Sequence, residues 1–445
     1  MSNTIDERKA KLSAAKKALL MKRLKGNKAT SAPAETGIPK RTAAEPAPLS
    51  YSQQRFWFAE QLNPESAVNN MHEAWRVKGY LDVAALERAF NLVVIRQAAL
   101  RMNIVVEDDV PVQLIAPHRK VSIPVSDLSY LSPTEQAAEI KERAAAEARR
   151  PFDLERDTLV RLSALRLHEN EHVLLYTIHH IFSDEYSNDL FWRELDLAYA
   201  NETKGGLSSL PKLPIRYDDF SEWQASWLEG GAQKKQLDYW TNQLAGDAPV
   251  IELPFDRPRP TQQTYAGGFV SRQLDGGLIE PLQALSQQTG ATQFMTYLAA
   301  FQTLLYRYSH QNGVWVGTPI ANRQRSEVQN LIGLFLNTVV IRSDFEEAGL
   351  TFRQLLTAVR QTTLEAFEHQ DLPFEKLVDE LRPQRDPAYN PLFQVMFVFG
   401  QRTKQNERHL PNTSFSPIHV DGGVAKFDLT LFVTINGREL EVGLE

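Results

Sequence analysis

The sequence predicts a mixed α/β protein built from two lobes of similar make-up. Apolar runs of strand length, such as Val173 to Ile178 and Val314 to Thr318, alternate with longer segments whose apolar residues recur at helical spacing. The chain has 445 residues, and a single hydrophobic core rarely grows beyond about 250–300 residues. The proline-punctuated stretch LPFDRPRP, which ends at Pro260, separates the two halves. These observations favour two packed α/β units.

Composition and charge exclude several classes of protein. The formal net charge is −6, so the composition gives no reason to expect a nucleic-acid partner. The sequence has no apolar run of about 18 or more residues, and the N-terminus has no signal-peptide core. With no cysteine, the chain has neither a disulfide nor a thiolate nucleophile. We infer a cytoplasmic protein in which any thiol or thioester chemistry arrives on a partner or substrate.

Residues 1–26 are predicted to form a basic N-terminal helix, and residues 27–47 a linker. In residues 6–26, leucines recur near helical spacing among lysines and arginines. Such a helix is typical of a docking element or a membrane-surface element, and a solvated helix fits the pattern as well. The linker is rich in Ala, Thr, Pro and Ser. The folded part then begins near Pro48, with an N-terminal lobe over 48–220 and a C-terminal lobe over 221–445.

The elements of the two lobes follow from the hydrophobic pattern. The first lobe is predicted to contain a helix in LSYSQQRFWFAEQL, a strand Glu73 to Val77, a helix Val83 to Gln97, a hairpin joining Leu100 to Val106 with Val112 to Ile115, a helix Ser132 to Arg149 and a strand Leu159 to Leu167. The second is predicted to contain a strand Gly268 to Leu274, helices Leu278 to Gln288, Gln293 to Tyr308 and Thr351 to His369, and strands Val314 to Thr318 and Val395 to Phe399.

Two adjacent histidines are the strongest candidates for chemistry. His179 and His180 directly follow the buried strand, and Asp184 precedes an amphipathic run that is predicted to be helical. A strand-to-helix turn presents side chains from a rigid scaffold, and histidine moves protons near neutral pH. Two other interpretations stay open. The histidines satisfy hydrogen bonds in a core, and Asp184 caps the helix or forms a buried ion pair.

Other kinds of site have weaker support. The two histidines and Asp184 supply at most three metal ligands, without the HExxH spacing. Gly267 and Gly268 do not open a helix in a phosphate-binding pattern, and no GxSxG motif indicates a serine hydrolase. General acid/base catalysis is therefore the chemistry that the residues favour.

The motifs resemble those of condensation domains from nonribosomal peptide synthetases. HHIFSDEYS at residues 179–187 is similar to their HHxxxDG signature, which related members of the chloramphenicol-acetyltransferase-like superfamily share in part. Further blocks resemble the other family motifs and occur in the family's order: LSYSQQRFWFAEQL, RQAALRMNI, IRYDDFSEWQ, IGLFLNTVVIR, HQDLPFEKLVDEL, RDPAYNPLFQ and AKFDLTLFV. The resemblance covers Pro48 to Glu445.

The resemblance implies a fold, partners and roles for individual residues. The fold would be two chloramphenicol-acetyltransferase-like lobes in a V-shaped pseudo-dimer, with the active site between them. Upstream and downstream carrier proteins would bring donor and acceptor thioesters on phosphopantetheine arms, and the domain would bind no cofactor of its own. His180, with His179, matches the catalytic histidines, and Asp184 and Arg323 match a supporting ion pair. The residues expected to contact substrate are Glu185, Tyr186, Ser187 and Asn337.

The sequence departs from the family pattern at two places. Glu185 replaces the glycine that follows the motif aspartate, and Gln97-Ala98 replaces the usual His-Glu of the second motif. A glycine allows close backbone approach to a substrate, whereas a glutamate adds a side chain and a charge. The carboxylate either faces the substrate channel or turns to the backbone amides of the following helix. The chain also ends before the family's C-terminal lobe does, so we expect a fragment of a longer synthetase.

The resemblance implies amide formation between carrier-bound substrates, with His180 as an acid/base or positioning group. An α-amine has a pKa near 7.7, so neutralising it at pH 7 costs only about 1 kcal/mol. Three rival hypotheses stay open. They are a related acyltransferase with a hydroxyl acceptor or chemistry altered by Glu185, a non-catalytic platform that recruits carrier or tailoring proteins, and a free-standing acyl-CoA transferase.

Overall fold

The structure is a computed structural model that describes residues 37–42, 45–204, 210–229, 233–246, 248–346, 349–383, 386–401, 408–420 and 422–445. Lys40–Glu445 forms one compact unit. The predicted basic helix, residues 1–26, and most of the predicted linker, 27–47, lie outside the described residues. None of the helices in the described ranges combines the length and the apolar character that a membrane span requires.

A five-stranded sheet carries the histidine strand. Its order is β12-β2-β7-β6-β5. The strands are β2 (Asn70–Gly79), β5 (Val125–Asp127), β6 (Val160–His168), β7 (Glu171–His179) and β12 (Thr413–Ile418). Helix α3 (Pro133–Arg149) packs on one face through Ile140 and Ala144. Helix α4 (Glu185–Lys204) covers the other, where Phe191 stacks on Tyr176 of β7 with ring centroids 4.9 Å apart. Both faces of β7 are therefore buried, which explains its nearly uninterrupted apolar sequence.

Strand β12 reaches this sheet from the far end of the chain. It pairs antiparallel with β2, with Phe415 opposite Val77. The sheet therefore contains strands from both sides of the predicted boundary at residues 220/221. Phe415 also contacts Trp75 and Trp192, with ring centroids 6.1 and 6.0 Å apart. Aromatic packing thus attaches the late strand to both β2 and α4.

A second sheet of six strands forms the core of the C-terminal half. Its order is β10-β9-β11-β13-β14-β8. Its strands are β8 (Val270–Leu274), β9 (Gly313–Ile320), β10 (Asn337–Asp344), β11 (Val395–Gln401), β13 (Leu429–Asn436) and β14 (Glu439–Leu444). Val316, Val340 and Phe397 are fully buried within its core. The predicted strands of this half are present, with ends that differ by a few residues.

A small third sheet contains the predicted hairpin. Strands β3 (Met102–Glu107) and β4 (Val110–Ile115) pair across Asp108 and Asp109, and β1 (Ala47–Pro48) adds to β4. Both turn residues have positive φ, 49° and 64°. Positive φ at both central positions is the requirement of a type I′ hairpin turn, and aspartate tolerates it better than most residues.

The remaining helices surround the sheets. They are α1 (Tyr51–Leu62), α2 (Val83–Arg96), α5 (Tyr217–Trp227), α6 (Gln233–Gln243), α7 (Ile279–Thr289), α8 (Gln293–Ser309), α9 (Phe352–Glu368) and α10 (Phe374–Leu381). Helix α1 begins with a capping box between Ser50 and Gln53. The Ser50 hydroxyl also lies 2.9 Å from the phenol oxygen of Tyr217, which donates to the backbone oxygen of Leu334 at 2.7 Å. Helices α1 and α5 are thus tied to the loop before β10.

Candidate active site

The candidate site is the turn between β7 and α4. Strand β7 ends at His179, a short 3-10 turn covers His180 to Phe182, and α4 begins at Glu185, as predicted. The backbone N–H of His180 donates to the backbone oxygen of Asn69 at 2.8 Å. The turn is therefore held by the sheet beside β2, and its side chains are presented from a fixed backbone.

One face of α1 packs against the histidines. Gln53, Phe56 and Glu60 follow one another at helical spacing, so they share this face. Gln53 donates from Nε2 to the backbone oxygen of Ile181 at 3.3 Å and is fully buried. Gln53 and Glu60 are polar residues on a packed helix face. They are tolerated there because the histidine turn supplies their hydrogen-bond partners, the Ile181 carbonyl and the His179 ring.

His179 has a structural environment. Its Nδ1 accepts a hydrogen bond from the backbone N–H of Ile181 at 3.2 Å, so the proton is on Nε2, which lies 3.3 Å from Oε1 of Glu60. The ring of Phe152 meets the imidazole edge-on. Burial lowers the pKa of His179, and the bond to Glu60 opposes that shift. Both ring nitrogens are engaged within the protein, so His179 shapes the turn.

His180 has the chemically available ring. Its imidazole is partly buried and stacks on Phe56, with ring centroids 4.9 Å apart and planes at 25°. Its Nδ1 is enclosed and has no hydrogen-bond partner among the described residues. Burial, and then the positive charge of Lys426, lower the pKa of His180 well below its ordinary value. The imidazole is therefore neutral at neutral pH, which is the form that accepts a proton.

Asp184 is the centre of a buried hydrogen-bond network. Its Oδ1 accepts from the backbone N–H of Ser187 at 2.8 Å, and its Oδ2 from the N–H groups of Phe335 at 2.9 Å and Leu336 at 3.2 Å. The carboxylate therefore caps α4 and also holds the loop before β10. Both structural roles that the sequence leaves open for it, helix cap and buried ion-pair partner, are present together.

Arg323 forms the expected ion pair with Asp184. Its Nη2 lies 3.2 Å from Oδ1 of Asp184, and the side chains are only 3% and 2% exposed. Its Nη1 donates to the backbone oxygens of Val328 and Leu331, both at 2.7 Å. The guanidinium also lies over the ring of Phe335, 4.2 Å from the centroid. The pair is fully hydrogen-bonded on the carboxylate side, as a desolvated pair requires.

Glu185 and Tyr186 lie at the open side of α4. No hydrogen bond joins Glu185 to the described residues, so the alternative in which its carboxylate bonds the amides at the helix start is not seen there. Solvent reaches its side chain, yet the surrounding protein displaces water and, together with Glu73 and Asp189, raises the pKa of Glu185 to about 7. Tyr186 is 39% exposed and lies over the Arg323 guanidinium, 4.5 Å from the ring centroid.

Glu73 and Asp189 belong to a charged cluster around Arg408. Arg408 pairs with Glu73 at 3.0 Å and with Asp189 at 2.5 Å. Glu73 also accepts from the indole N–H groups of Trp75 at 2.8 Å and Trp192 at 2.9 Å. Glu185 therefore adds a third carboxyl group to a cluster with one guanidinium, and this repulsion adds to the effect of burial in raising its pKa.

Ser187 and Asn337 face the protein interior. The Ser187 hydroxyl is fully buried, donates to the backbone oxygen of Gly333 at 2.7 Å and accepts from Arg323 at 2.6 Å. The Asn337 amide donates to the backbone oxygens of Gln370 and Leu372, both at 2.8 Å. The Ser187 hydroxyl and the Asn337 amide thus hold loops together inside the protein, and their expected contact with substrate stays a prediction.

The loop at Gly333 explains the second departure from the family pattern. Gln97 is buried, and its amide donates to Glu194 at 2.9 Å and to the backbone oxygen of Asn330 at 3.0 Å. Its Oε1 accepts from the N–H of Ile332 at 3.0 Å. A side chain at Gly333 would collide with Tyr217, 2.1 Å from an added Cβ. Gln97 is therefore part of the packing that positions the Arg323 loop.

A cavity of about 630 Å³ is lined in part by Gln97 and includes neither histidine. Its basic and acidic lining residues are Lys40, Arg41, Arg96, Arg101, Lys212, Arg216 and Asp219. Several of these charges are already paired, including Arg96 with Glu194 at 3.1 Å. The cavity is therefore separate from the candidate site.

This fold and histidine turn are those of a condensation domain. The sequence model of the Condensation domain family matches residues 43–445, so the chain belongs to that family. Within it, the chain is similar to domains of nonribosomal peptide synthetases. It is 45% identical over 396 residues to a linear gramicidin synthase polypeptide from Brevibacillus parabrevis, a match that covers 88% of this chain and 8% of that polypeptide. The chain thus spans a small part of the length of this relative.

Two solved structures share the fold. An X-domain in complex with OxyB from teicoplanin biosynthesis superposes with a TM-score of 0.81 at 28% identity, covering 93% of this chain and 91% of that one. The condensation domain from the monacolin K polyketide synthase MokA gives 0.79 at 19% identity, covering 91% and 92%. The chloramphenicol-acetyltransferase-like α/β fold that the sequence motifs imply is confirmed.

Proposed function

We propose that this domain joins a carrier-bound acyl or peptidyl thioester to a carrier-bound aminoacyl acceptor by forming an amide bond. The observation that carries the proposal is the position of the His180 imidazole, which stacks on Phe56 at a turn that Asp184 and Arg323 fix in place. Family membership supports the general activity. Both thioester sulfurs belong to phosphopantetheine arms of partner carrier proteins, which agrees with a chain that has no cysteine.

The reaction makes modest demands on His180 when the acceptor is an amine. The acceptor nitrogen attacks the thioester carbonyl, the N–C bond forms, the C–S bond breaks, and one proton moves from nitrogen to the leaving sulfur. A neutral amine costs only about 1 kcal/mol at pH 7, so attack itself needs no strong base. Removing the proton from the tetrahedral intermediate and orienting the amine are the steps in which the imidazole contributes.

The test is intact-protein mass spectrometry of carriers after incubation with this domain. One carrier is loaded with an acyl donor and the other with an aminoacyl acceptor. We expect the donor mass to move to the acceptor carrier, and His180→Ala to slow that transfer by about 10²–10⁴-fold, the usual contribution of general acid/base catalysis. His168→Ala, which removes an exposed histidine at the end of β6, is the matched control. Transfer by His180→Ala at the wild-type rate would contradict the proposal.

The same mass-spectrometry assay distinguishes an amine acceptor from a hydroxyl acceptor. Replacing the amine by a hydroxyl removes the nucleophile's basicity, so a hydroxyl acceptor depends more strongly on proton removal by His180. Product with hydroxyl acceptors alone would make the domain an ester-forming relative. Product with amine acceptors alone would support the proposed amide formation.

A second function, recruitment of a partner protein, is favoured by one observation. The chain matches an X-domain that has been seen in complex with OxyB, and Glu185 replaces the family glycine beside the candidate histidine. Isothermal titration calorimetry with OxyB as the probe tests this function. Micromolar or tighter binding, together with no transfer between any loaded carriers, would favour recruitment over catalysis. Transfer without OxyB binding would exclude it for that partner.

A further inference from the structure

Lys426 places a positive charge next to the aromatic ring that supports His180. Its Nζ lies 5.4 Å from the centroid of the Phe56 ring, on which the imidazole also stacks. Among the described residues, no hydrogen bond or ion pair holds this ammonium. The other charged groups that act on it are Arg55, Glu445 and Glu60, over longer range.

The backbone of Lys426 is fixed from two sides. Its carbonyl oxygen accepts from Nε2 of Gln263 at 3.1 Å and from Nδ2 of Asn390 at 2.8 Å. Two residues further along the chain, the backbone N–H of Asp428 donates to the backbone oxygen of Gln394 at 3.0 Å. These bonds set where the side chain begins. The ammonium therefore lies beside Phe56 on a fixed stretch of backbone, without a carboxylate ion-pair partner in the described part of the chain.

The charge of Lys426 is retained at neutral pH. Burial first, and then the positive charge of Arg55, lower the pKa of Lys426 to about 8. At pH 7 roughly nine in ten molecules then still hold the ammonium. A fixed positive charge disfavours a second one nearby, so it opposes protonation of His180.

No carboxylate compensates this effect at the His180 ring. Besides burial, the groups that act on His180 are Lys426 and His179, which lower its pKa, and the backbone at His180 and Ser183, which raises it. Glu60, the nearby acidic residue on α1, is bonded instead to His179 at 3.3 Å and to Asn69 at 2.7 Å. The electrostatic environment of His180 is thus dominated by a cation.

We propose that Lys426 is a positioning residue whose ammonium, beside the Phe56 ring that stacks on His180, adds to burial in keeping the imidazole neutral and able to accept a proton. The part that Lys426 plays in the reaction rests on the proposed function. The electrostatic coupling between the Lys426 ammonium and the protonated His180 ring does not depend on that function. After His180 takes the proton from the acceptor nitrogen, the neighbouring ammonium destabilises the imidazolium. The proton then passes to the leaving sulfur, and His180 returns to its neutral form.

Two substitutions separate this role from simple packing on Phe56. Lys426→Met keeps an unbranched apolar side chain against the ring but removes the charge. Lys426→Arg keeps a charge that can also lie over an aromatic ring. A residue that only packs would be replaced well by methionine. A residue that acts through its charge would be replaced better by arginine.

The decisive measurement is an NMR pH titration of protein labelled at the histidine Cε1 positions. His180→Gln identifies the His180 signal, and His172 at the start of β7 is an internal control. We expect the His180 signal of Lys426→Met to titrate at higher pH than in the wild type, and that of Lys426→Arg to follow the wild type. The His172 signal should not move in either variant. Superimposable His180 titrations of wild type and Lys426→Met would overturn the proposal.

Folding and activity are controlled separately. Thermal unfolding confirms that each variant is folded, and Lys426→Gln replaces the methionine variant if that one does not fold. In the carrier assay, the acidic limb of the pH–rate profile should move to higher pH in Lys426→Met and stay in place in Lys426→Arg. A wild type without transfer activity would refute the proposed function, and the titration would still decide the role of Lys426.

Discussion

Asp184 joins three parts of the chain through one carboxylate, so its replacement should affect stability as well as activity. It caps α4, accepts from the loop before β10 and pairs with Arg323, and it is 1% exposed. Asp184→Asn keeps the shape but leaves the guanidinium uncompensated in a dry environment. We expect a loss of about 3–5 kcal/mol in the free energy of unfolding, measured by chemical denaturation.

A surface ion pair provides the control for Asp184. Arg342 and Asp344 pair at 3.1 Å, but their side chains are 31% and 48% exposed. Asp344→Asn should therefore change the free energy of unfolding by about 0–1 kcal/mol. Equal effects of the two substitutions would show that the Asp184 pair does not stabilise the fold through its burial.

Glu185 should make stability depend on pH. Its pKa is raised to about 7, so between the ordinary carboxyl pKa near 4.3 and pH 7 the folded protein binds more protons at this group than the unfolded chain does. The free energy of unfolding therefore falls as pH rises from about 4.3 to about 7, because Glu185 must ionise in the folded protein at a higher pH than in the unfolded chain. We expect Glu185→Gln to be more stable than the wild type at pH 8, with the difference disappearing near pH 4.

The control for this experiment is Glu142→Gln on the exposed side of α3. Denaturant unfolding of all three proteins at both pH values gives the comparison. A difference between wild type and Glu185→Gln that stays constant with pH would refute the electrostatic explanation.

Glu185 also offers a test of substrate tolerance. Glu185→Gly restores the family residue, removing bulk and charge, while Glu185→Gln removes the charge alone. If the carboxyl group restricts the acceptor, Glu185→Gly should widen the range of acceptors that give product in the carrier assay, and Glu185→Gln should show how much of the effect is due to charge. Equal products and rates in all three proteins would make Glu185 a structural substitution.

Local pattern in the sequence locates the contiguous part of the site, and the family resemblance adds Arg323. His179, His180 and Asp184 lie in one short turn, so their proximity follows from the chain itself. Phe56 stacks on His180, and Lys426 lies near the Phe56 ring, through tertiary packing between α1, β7 and the segment before β13. No local pattern indicates such a meeting. The aromatic motif around Phe56 is recognisable in the sequence, but its helix face toward the histidines becomes visible only with the fold.

Among the elements, strand β12 should be held mainly by its aromatic residue. Phe415 contacts Trp75 and Trp192, whereas Ser416 is exposed. Phe415→Ala removes a large, partly buried ring, and we expect a loss of about 1–3 kcal/mol in the free energy of unfolding. Hydrogen exchange at the amides of β12 and β2 should accelerate. Ser416→Ala is the control, and equal exchange in both variants would contradict the prediction.

Strong periodicity makes many of the long elements predictable, whereas several strands, including β10, β12, β13 and β14, are missed. Helices α2, α3 and α8 and strands β6, β7 and β9 agree with the prediction to within a few residues. Strand β12 is absent from the prediction. Pro417 lies within it, and proline argues against a central strand. The structure places it at the sheet edge, where proline is tolerated. Its pairing with a strand of the first lobe has no local signal at all.

For the molecule as a whole, we predict that residues 1–36 are not needed for chemistry. The unit Lys40–Glu445 contains every residue of the candidate site. Deleting residues 1–36 should leave transfer between excess free carriers unchanged and weaken only pairing with the native upstream partner. The measurement is the carrier assay at high and at limiting carrier concentration. Loss of transfer at high carrier concentration would show that these residues contribute to the reaction.

The pairing of β12 with β2 has a consequence for how the chain is made. Ribosomes add about 5–20 residues per second, so β12 leaves the ribosome roughly 10–50 s after β7. During that interval the edge of β2 that β12 later covers has no strand beside it. An uncovered edge is a template for pairing with another chain. The first half of the domain, expressed without residues 413–418, should therefore aggregate or recruit chaperones during synthesis, and supplying the second half in trans should rescue it only while that edge is still free.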